Sequence, residues 1–137
     1  MNKICTDVKQ SKRLIELGID VKTADMHYMY RHWEIDENTV GAQSDASIGF
    51  DSDFYYGVDN GETYIYIPAW SLSALLEIIS RSAHNMDEDG NVFLSSYKNV
   101  EWSVAMNNTD CEDTFINKDP VDAAFEMVVY LLKQNKI

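Results

Sequence analysis

The spacing of apolar residues along the chain constrains the fold more than any other feature of the sequence. Apolar residues recur at helical spacing in three segments, which begin near Asp7, Ser71 and Asp119. The segments between them alternate as strands do, and residues 63–67 (Thr-Tyr-Ile-Tyr-Ile) are the clearest example. The order helix, strands, helix, strands, helix predicts an α+β fold, a mostly antiparallel sheet with about three helices packed on one face.

Local signals mark the ends of the first and last helices. Asp7 is followed three residues later by Gln10, which fits a capping box, and Gly18 fits the position after the end of that helix. Asp119 and Pro120 fit the N-cap and the first position of the last helix, where the missing N–H of proline costs nothing. These two helices therefore have predicted boundaries as well as predicted faces.

The remaining boundaries rest on alternation and turn signals. We predict the second helix to run from Ser71 to about residue 83, and Pro68 to end the strand before it. A turn signal at residues 59–61 predicts a hairpin around Tyr55 and Tyr64. The predicted strands cover residues 26–33, 47–56, 63–67, 92–97, 100–106 and 114–116, with a loop at 34–47. The length, 137 residues, predicts a single globular domain over residues 1–137.

The chain is strongly acidic, with a net charge of -12. A field of this sign repels phosphate backbones and anionic lipid headgroups, so we expect no direct binding to nucleic acid and none to membranes. The same field attracts a basic protein partner. Because no leader sequence is evident and no apolar run reaches the length of a membrane span, we expect a cytoplasmic protein with Cys5 and Cys111 reduced.

One pair of carboxylates is a candidate metal site. Asp51 and Asp53 stand at i and i+2, so on a strand they share a face and could hold a divalent cation. The alternative interpretation is a polar break between two strands. The zinc-helix, nucleophile-elbow and dinucleotide-binding motifs are absent from the sequence, which favours a non-enzymatic protein without a cofactor over an enzyme.

Aromatic residues are concentrated in the predicted strands. Such residues are enriched at protein-binding surfaces, and they are equally suited to packing within a sheet. Both interpretations stay open for this chain. The residues of the candidate contact surface are Tyr28, Tyr30, Trp33, Tyr55, Tyr64 and Tyr66.

Three blocks of sequence carry a resemblance to a known family. They read ICTDVKQSKRLIELGID followed by TADM, then IPAWSLSALLEII, then DPVDAAFEMVVYLL. In this order they resemble a family of small proteins encoded in prophages and mobile elements of gut Bacteroidetes. The resemblance implies an accessory protein of a phage or mobile element, and it brings no activity and no functional residues to this chain.

Three hypotheses about function follow from the sequence. The first is a non-enzymatic protein-binding or accessory protein, with a homo-oligomer as one form that it could take. The second is an acidic protein that imitates DNA and inhibits a nucleic-acid-binding protein. The third is a metal-assisted enzyme that uses Asp51 and Asp53.

Overall fold

The computed structural model describes residues 3–31, 42–44, 55–59, 62–86, 90–97, 101–107 and 114–137. It divides the chain into two compact units: the N-terminal unit is Cys5–Ser71, and the C-terminal unit is Leu72–Ile137 together with Met1–Ile4. The described residues form three α-helices and two antiparallel sheets. The predicted α+β class is confirmed, and the strands are shared between a four-stranded and a three-stranded sheet. That residues 1–137 act as a single domain stays a prediction.

The N-terminal unit consists of one helix and a four-stranded sheet. Its elements are α1 (Val8–Glu16), a 3₁₀ turn (Val21–Thr23), β1 (Met26–Arg31), β2 (Ala42–Ser44), β3 (Tyr55–Asp59) and β4 (Glu62–Ala69). The strand order is β2-β1-β4-β3, and every neighbouring pair is antiparallel. Helix α1 packs against β4. The buried residues of its core cluster are Cys5, Val8, Tyr28, Ile67 and Ala69, with Met26 packed against them.

The predicted ends of α1 are confirmed. The side chain of Asp7 accepts a hydrogen bond from the backbone N–H of Gln10 at 2.8 Å, and the Gln10 side chain accepts one from the backbone N–H of Asp7 at 3.0 Å. Gly18 follows the C-cap with a φ of 92°, a value that favours glycine. The backbone N–H of Ile19 then donates to the carbonyl oxygen of Leu14 at 3.1 Å and closes the helix end.

Two boundaries in the first sheet differ from the prediction. Strand β2 lies within the predicted loop at 34–47, because its three residues are held by backbone pairing to β1 and not by an alternating pattern of their own. Strand β4 continues through Pro68 to Ala69, although Pro68 was expected to end it. Pro68 pairs with His27 on β1, whereas β3 pairs with β4 no further than Tyr66. At Pro68 the strand has one described neighbour, so a missing N–H is tolerated there.

The predicted hairpin between β3 and β4 is confirmed. Asp59 pairs with Glu62, and Tyr55 pairs with Tyr66 further along the same two strands. Strand β3 begins at Tyr55, so most of the predicted strand at 47–56 lies outside the described residues.

The C-terminal unit consists of two helices and a three-stranded antiparallel sheet. Its elements are α2 (Leu72–Met86), β5 (Asn91–Tyr97), β6 (Glu101–Asn107), β7 (Thr114–Asn117) and α3 (Pro120–Lys133). The strand order is β5-β6-β7, and both helices pack on this sheet and on each other. Helix α2 extends three residues past its predicted end at 83. Ala83 is fully buried, and residues 84–86 add almost one further turn after it. The three predicted strands are confirmed to within one residue.

The start of α3 binds Lys3, the first described residue of the chain. The buried carboxylate of Asp119 accepts hydrogen bonds from the backbone N–H groups of Val121 at 2.8 Å and Asp122 at 3.4 Å. It also accepts one from the backbone N–H of Lys3 at 2.6 Å, and the Lys3 ammonium donates to Asp122 at 2.8 Å. The predicted cap at Asp119 and Pro120 is therefore confirmed, and it also anchors Lys3.

Candidate functional site: the outer face of the three-stranded sheet

The three-stranded sheet has one face toward the helices and one face away from them. Val104 and Phe115 are paired on β6 and β7, Val104 is fully buried, and the Phe115 ring lies 5.6 Å from the Tyr130 ring of α3. These residues mark the helix-covered face. Because successive side chains of a strand point to opposite faces, their neighbours Ala105 and Ile116 belong to the outer face.

The outer face carries two large exposed apolar side chains. Phe93 on β5 is 50% exposed, and Ile116 on β7 is 57% exposed. Strand β6 lies between them, where Phe93 pairs with Ala105 and Ile116 pairs with Ser103. We name this area the outer-face surface, and its residues are Phe93, Ser95, Ser103, Ala105, Thr114 and Ile116.

The outer-face surface is electrically neutral, although the chain has a net charge of -12. One described side chain on this face carries a charge. It is Glu101, which lies at the first residue of β6, outside the outer-face surface. A neutral area with exposed apolar side chains is typical of the centre of a protein–protein interface, which is depleted of charge and enriched in aromatic residues. This is the strongest candidate for a functional site in the described part of the chain.

Most described carboxylates have local structural partners. Asp7, Asp20 and Asp119 cap helical segments, and the Asp25 carboxylate accepts from both the backbone N–H and the hydroxyl of Ser71. The other close pairs are Arg13–Glu16, Arg81–Glu77 and Lys3–Asp122. The majority of the 23 acidic residues have side chains that the structure does not describe, so an array that imitates DNA stays a prediction.

The candidate metal site lies outside the described residues. Neither Asp51 nor Asp53 is among them. Within the ranges that the structure describes, no group of three or more His, Cys, Asp and Glu side chains is arranged to hold a metal ion. The metal hypothesis therefore stays a prediction.

The structure buries one residue of the predicted aromatic contact surface. Tyr28 is 7% exposed, and its hydroxyl donates to the backbone carbonyl of Thr6 at 2.9 Å and lies 3.5 Å from the Cys5 sulfur. Tyr28 thus contributes to the core beneath α1, because its position on β1 points toward that helix, and it is not accessible to a partner. Tyr66 is half-buried, and its ring meets the ring of His27 edge-on at 5.4 Å.

The other four aromatic candidates are described less fully. Tyr30, Tyr55 and Tyr64 have defined positions on β1, β3 and β4, and their side chains are outside the described set. Trp33 lies outside the described residues altogether. Their part in a contact surface stays a prediction.

His27 is a buried titratable group in the first sheet. It is 4% exposed, and its Nδ1 atom has no hydrogen-bond partner among the residues that the structure describes. Burial lowers the pKa of His27 below its usual value, because the surrounding protein disfavours the charged imidazolium. The folded protein therefore holds this imidazole in its neutral form near neutral pH.

The residues of the outer-face surface were not predicted from the sequence. The signal that could have found them is a pair of consecutive apolar residues on a strand that buries one face, as at Val92-Phe93 and Phe115-Ile116. One residue of each pair must then face away from the helices. Choosing between the two residues requires the position of the helices.

We compared the chain with protein-family models, with curated proteins and with solved structures, and none of them matches it. The candidate surface therefore rests on the geometry of this chain alone. In the described ranges, no helix combines the length and the apolar character that crossing a lipid bilayer requires.

Proposed function

We propose that this chain is a non-enzymatic protein-binding accessory protein, and that it contacts a basic protein partner through the outer-face surface. The observation that carries the proposal is the exposure of Phe93 and Ile116 in the outer-face surface, whose six residues are uncharged, in a chain whose net charge is -12. The resemblance to proteins of prophages and mobile elements in gut Bacteroidetes supports such a role, and we propose that the chain carries it out in the bacterial cytoplasm.

Apolar contact provides only part of the binding energy. Full burial of a Phe or Ile side chain contributes about 1.5–3 kcal/mol, and since both side chains are half-buried already, each gains about 1 kcal/mol from a partner. Micromolar affinity requires about 8 kcal/mol. Polar contacts and charge attraction must therefore supply the larger share, and a basic rim around an apolar centre is the partner surface that complements this one.

Charge complementarity makes the expected binding sensitive to salt. A basic partner is steered toward the acidic chain over distances comparable with the Debye length, about 10 Å at 0.1 M salt. Raising the salt concentration should therefore slow association and weaken the complex. Apolar contact alone has no such dependence.

Site-specific photo-crosslinking tests the proposal directly. A benzophenone amino acid replaces Phe93, and a control chain carries it at Ser73, which is exposed on α2. Each chain is irradiated in a lysate of a gut Bacteroidetes strain, and the adducts are identified by mass spectrometry. We expect a basic protein to be captured from position 93 and not from position 73.

Calorimetry with the purified partner then measures the contribution of each side chain. Phe93→Ser and Ile116→Ser should each weaken binding about fivefold, which corresponds to about 1 kcal/mol. The matched control is Ile137→Ser, which removes an equally exposed apolar side chain that lies outside the sheet. Unchanged affinity in both sheet variants, or an acidic partner whose binding strengthens with salt, would contradict the proposal.

A further inference from the structure

We propose that the segment bound by the outer-face surface is one basic amphipathic helix of the partner protein, which lies along β6 between Phe93 and Ile116. This inference rests on the proposed function and deepens it, because it names the kind of partner segment that the same surface takes. The shape of the surface, the backbone pairing of β6 and the charge of the chain each argue for this occupant.

The outer-face surface forms a shallow trough. Its two large side chains, Phe93 and Ile116, stand on β5 and β7, and the small residues Ser103 and Ala105 stand between them on β6. Neighbouring strands lie about 4.8 Å apart, so β5 and β7 are about 10 Å apart. A helix with its side chains measures about 10–12 Å across, so one helix fits over β6 with a large side chain on each flank.

The two large side chains are also staggered along the strands. Phe93 pairs with Ala105 and Ile116 pairs with Ser103, two residues away on β6, which corresponds to about 7 Å along the strand. Residues i and i+4 of a helix are about 6 Å apart along its axis and lie on the same side of it. A partner helix therefore places one apolar residue against each large side chain, four positions apart.

The backbone of β6 is already paired on both sides. Residues 102–105 pair with β5 on one side and with β7 on the other. A segment that covers this face must therefore satisfy its own N–H and C=O groups, which a helix does internally and a single extended segment does not. Helices α2 and α3 cover the other face of the same sheet in this way.

The size of the face suits a single helix. From strand spacing and length, the outer face covers about 300 Å². The contact face of a whole globular partner in a stable complex is about 800 Å². A helix of about 14 residues is about 20 Å long, close to the length of the seven-residue strand β6, which is about 24 Å.

The charge of the chain selects a basic helix. The whole chain has a net charge of -12, and residues 87–117, which span the three strands, contain seven acidic residues and one basic residue, Lys98. Lysine and arginine on the polar side of the helix complement this charge, while the apolar stripe of the helix meets the uncharged outer-face surface.

Cross-linking from two positions tests for the helix. A benzophenone amino acid replaces Phe93 in one full-length chain and Ile116 in another, each chain is irradiated in a lysate of a gut Bacteroidetes strain, and tandem mass spectrometry locates the attached residues of the captured protein. We expect both attachments within one segment of about 14 residues, separated by three, four or seven positions. Attachment to two separate segments, or at two-residue spacing, overturns the helix and leaves the proposed function intact. Capture of no basic protein from either position overturns both.

Filling the trough distinguishes a helix from a flat partner surface. Ser103→Trp places a large side chain on β6, where tryptophan suits a strand, and the control is Ser73→Trp at an exposed position of α2. In calorimetry with the captured partner, we expect Ser103→Trp to weaken binding about tenfold and the control to leave it unchanged. A flat surface would gain apolar contact from the tryptophan, so equal or tighter binding by Ser103→Trp overturns the proposal.

Two synthetic peptides test the unmodified chain without any variant. Both contain the same leucines and lysines, with leucine at helical spacing in one peptide and at every second position in the other. We expect the first peptide to gain helix content in circular dichroism when mixed with the full-length chain, and to shift the backbone amide resonances of Ser103 and Ala105. Equal shifts from the alternating peptide, or no shift at β6 from either peptide, overturns the proposal.

Discussion

Replacing Asp119 with alanine removes three hydrogen bonds that a single buried carboxylate accepts. Two come from the backbone N–H groups of Val121 and Asp122 at the start of α3, and the third comes from the backbone N–H of Lys3. Asp119 is 9% exposed, so water replaces these bonds incompletely after the substitution. The variant therefore tests whether one side chain both starts the last helix and anchors the beginning of the chain.

The expected magnitude follows from the separate contacts. Loss of an Asp N-cap costs about 1 kcal/mol, within a range of about 0.5–2 kcal/mol. A hydrogen bond to a charged group contributes about 1.5–3 kcal/mol, and we reduce the value for Lys3 to about 1 kcal/mol because Lys3 is an exposed residue. Together these contributions predict that Asp119→Ala lowers the free energy of unfolding by about 2 kcal/mol.

Urea denaturation followed by circular dichroism measures this loss. With a denaturant slope of about 2 kcal/mol per molar urea, the midpoint should fall by about 1 M. Asp119→Asn keeps an oxygen for the cap and should lose at most about half as much. Asp122→Asn breaks the partly exposed pair with Lys3 and should cost under about 1 kcal/mol. The reasoning is refuted if Asp119→Ala unfolds at the same urea concentration as the unmodified chain.

Three further predictions concern the N-terminal unit. The pKa of His27 is lower in the folded state than in the unfolded state, so below pH 6.5 the unfolded state binds more protons. The unfolding free energy should therefore fall by up to about 1.4 kcal/mol for each pH unit below 6.5. A series of urea unfolding curves at different pH values should show this loss for the unmodified chain and not for His27→Gln. Thr6→Val leaves the Trp70 backbone N–H and the Ser11 hydroxyl without their partner and should cost about 2 kcal/mol in the same assay, whereas Thr6→Ser should cost about 1 kcal/mol or less. Gly18→Ala places a side chain at a φ of 92° with open space around it, so thermal unfolding should report a loss of about 1 kcal/mol from the backbone alone, and Gly18→Asn should lose less.

The helix ends were predictable because their signals lie within a few residues of one another. Asp7 and Gln10 bond to each other's backbone N–H groups, and Asp119 accepts from the backbone N–H groups of the first turn of α3. Pro120, at the first position of α3, has no N–H that needs a partner. Such contacts depend on local geometry and hardly at all on the rest of the fold. The same holds for Gly18, whose positive φ follows from its position after a helix end.

The sheets were less predictable because their pairing joins distant parts of the sequence. Strand β1 pairs with β2 on one side and with β4 on the other, and the three residues of β2 have no pattern that indicates a strand. Neither the division into two sheets nor the continuation of β4 through Pro68 has a local signal. Both depend on which strands become neighbours.

The candidate site could be predicted only in part for the same reason. The concentration of aromatic residues in the predicted strands pointed to Tyr28, which the fold buries beneath α1. Phe93 and Ile116 stand among residues that are common in strands, so the sequence around them did not mark them as exposed. Exposure of these two side chains depends on which face of β5-β6-β7 the helices cover. A sequence pattern gives the alternation of a strand, and the tertiary packing decides which half of that alternation reaches the solvent.

The backbone pairing of Cys5 with Ser71 has a consequence for how the gene could be rearranged. These residues open and close the N-terminal unit, and paired residues of antiparallel segments have Cα atoms only about 5 Å apart. The chain therefore enters the N-terminal unit at Cys5 and leaves it at Ser71 through two adjacent points of that unit. In topological terms residues 5–71 form an insertion between two parts of the C-terminal unit, and close ends of this kind are the reason that proteins tolerate the insertion of one domain into another.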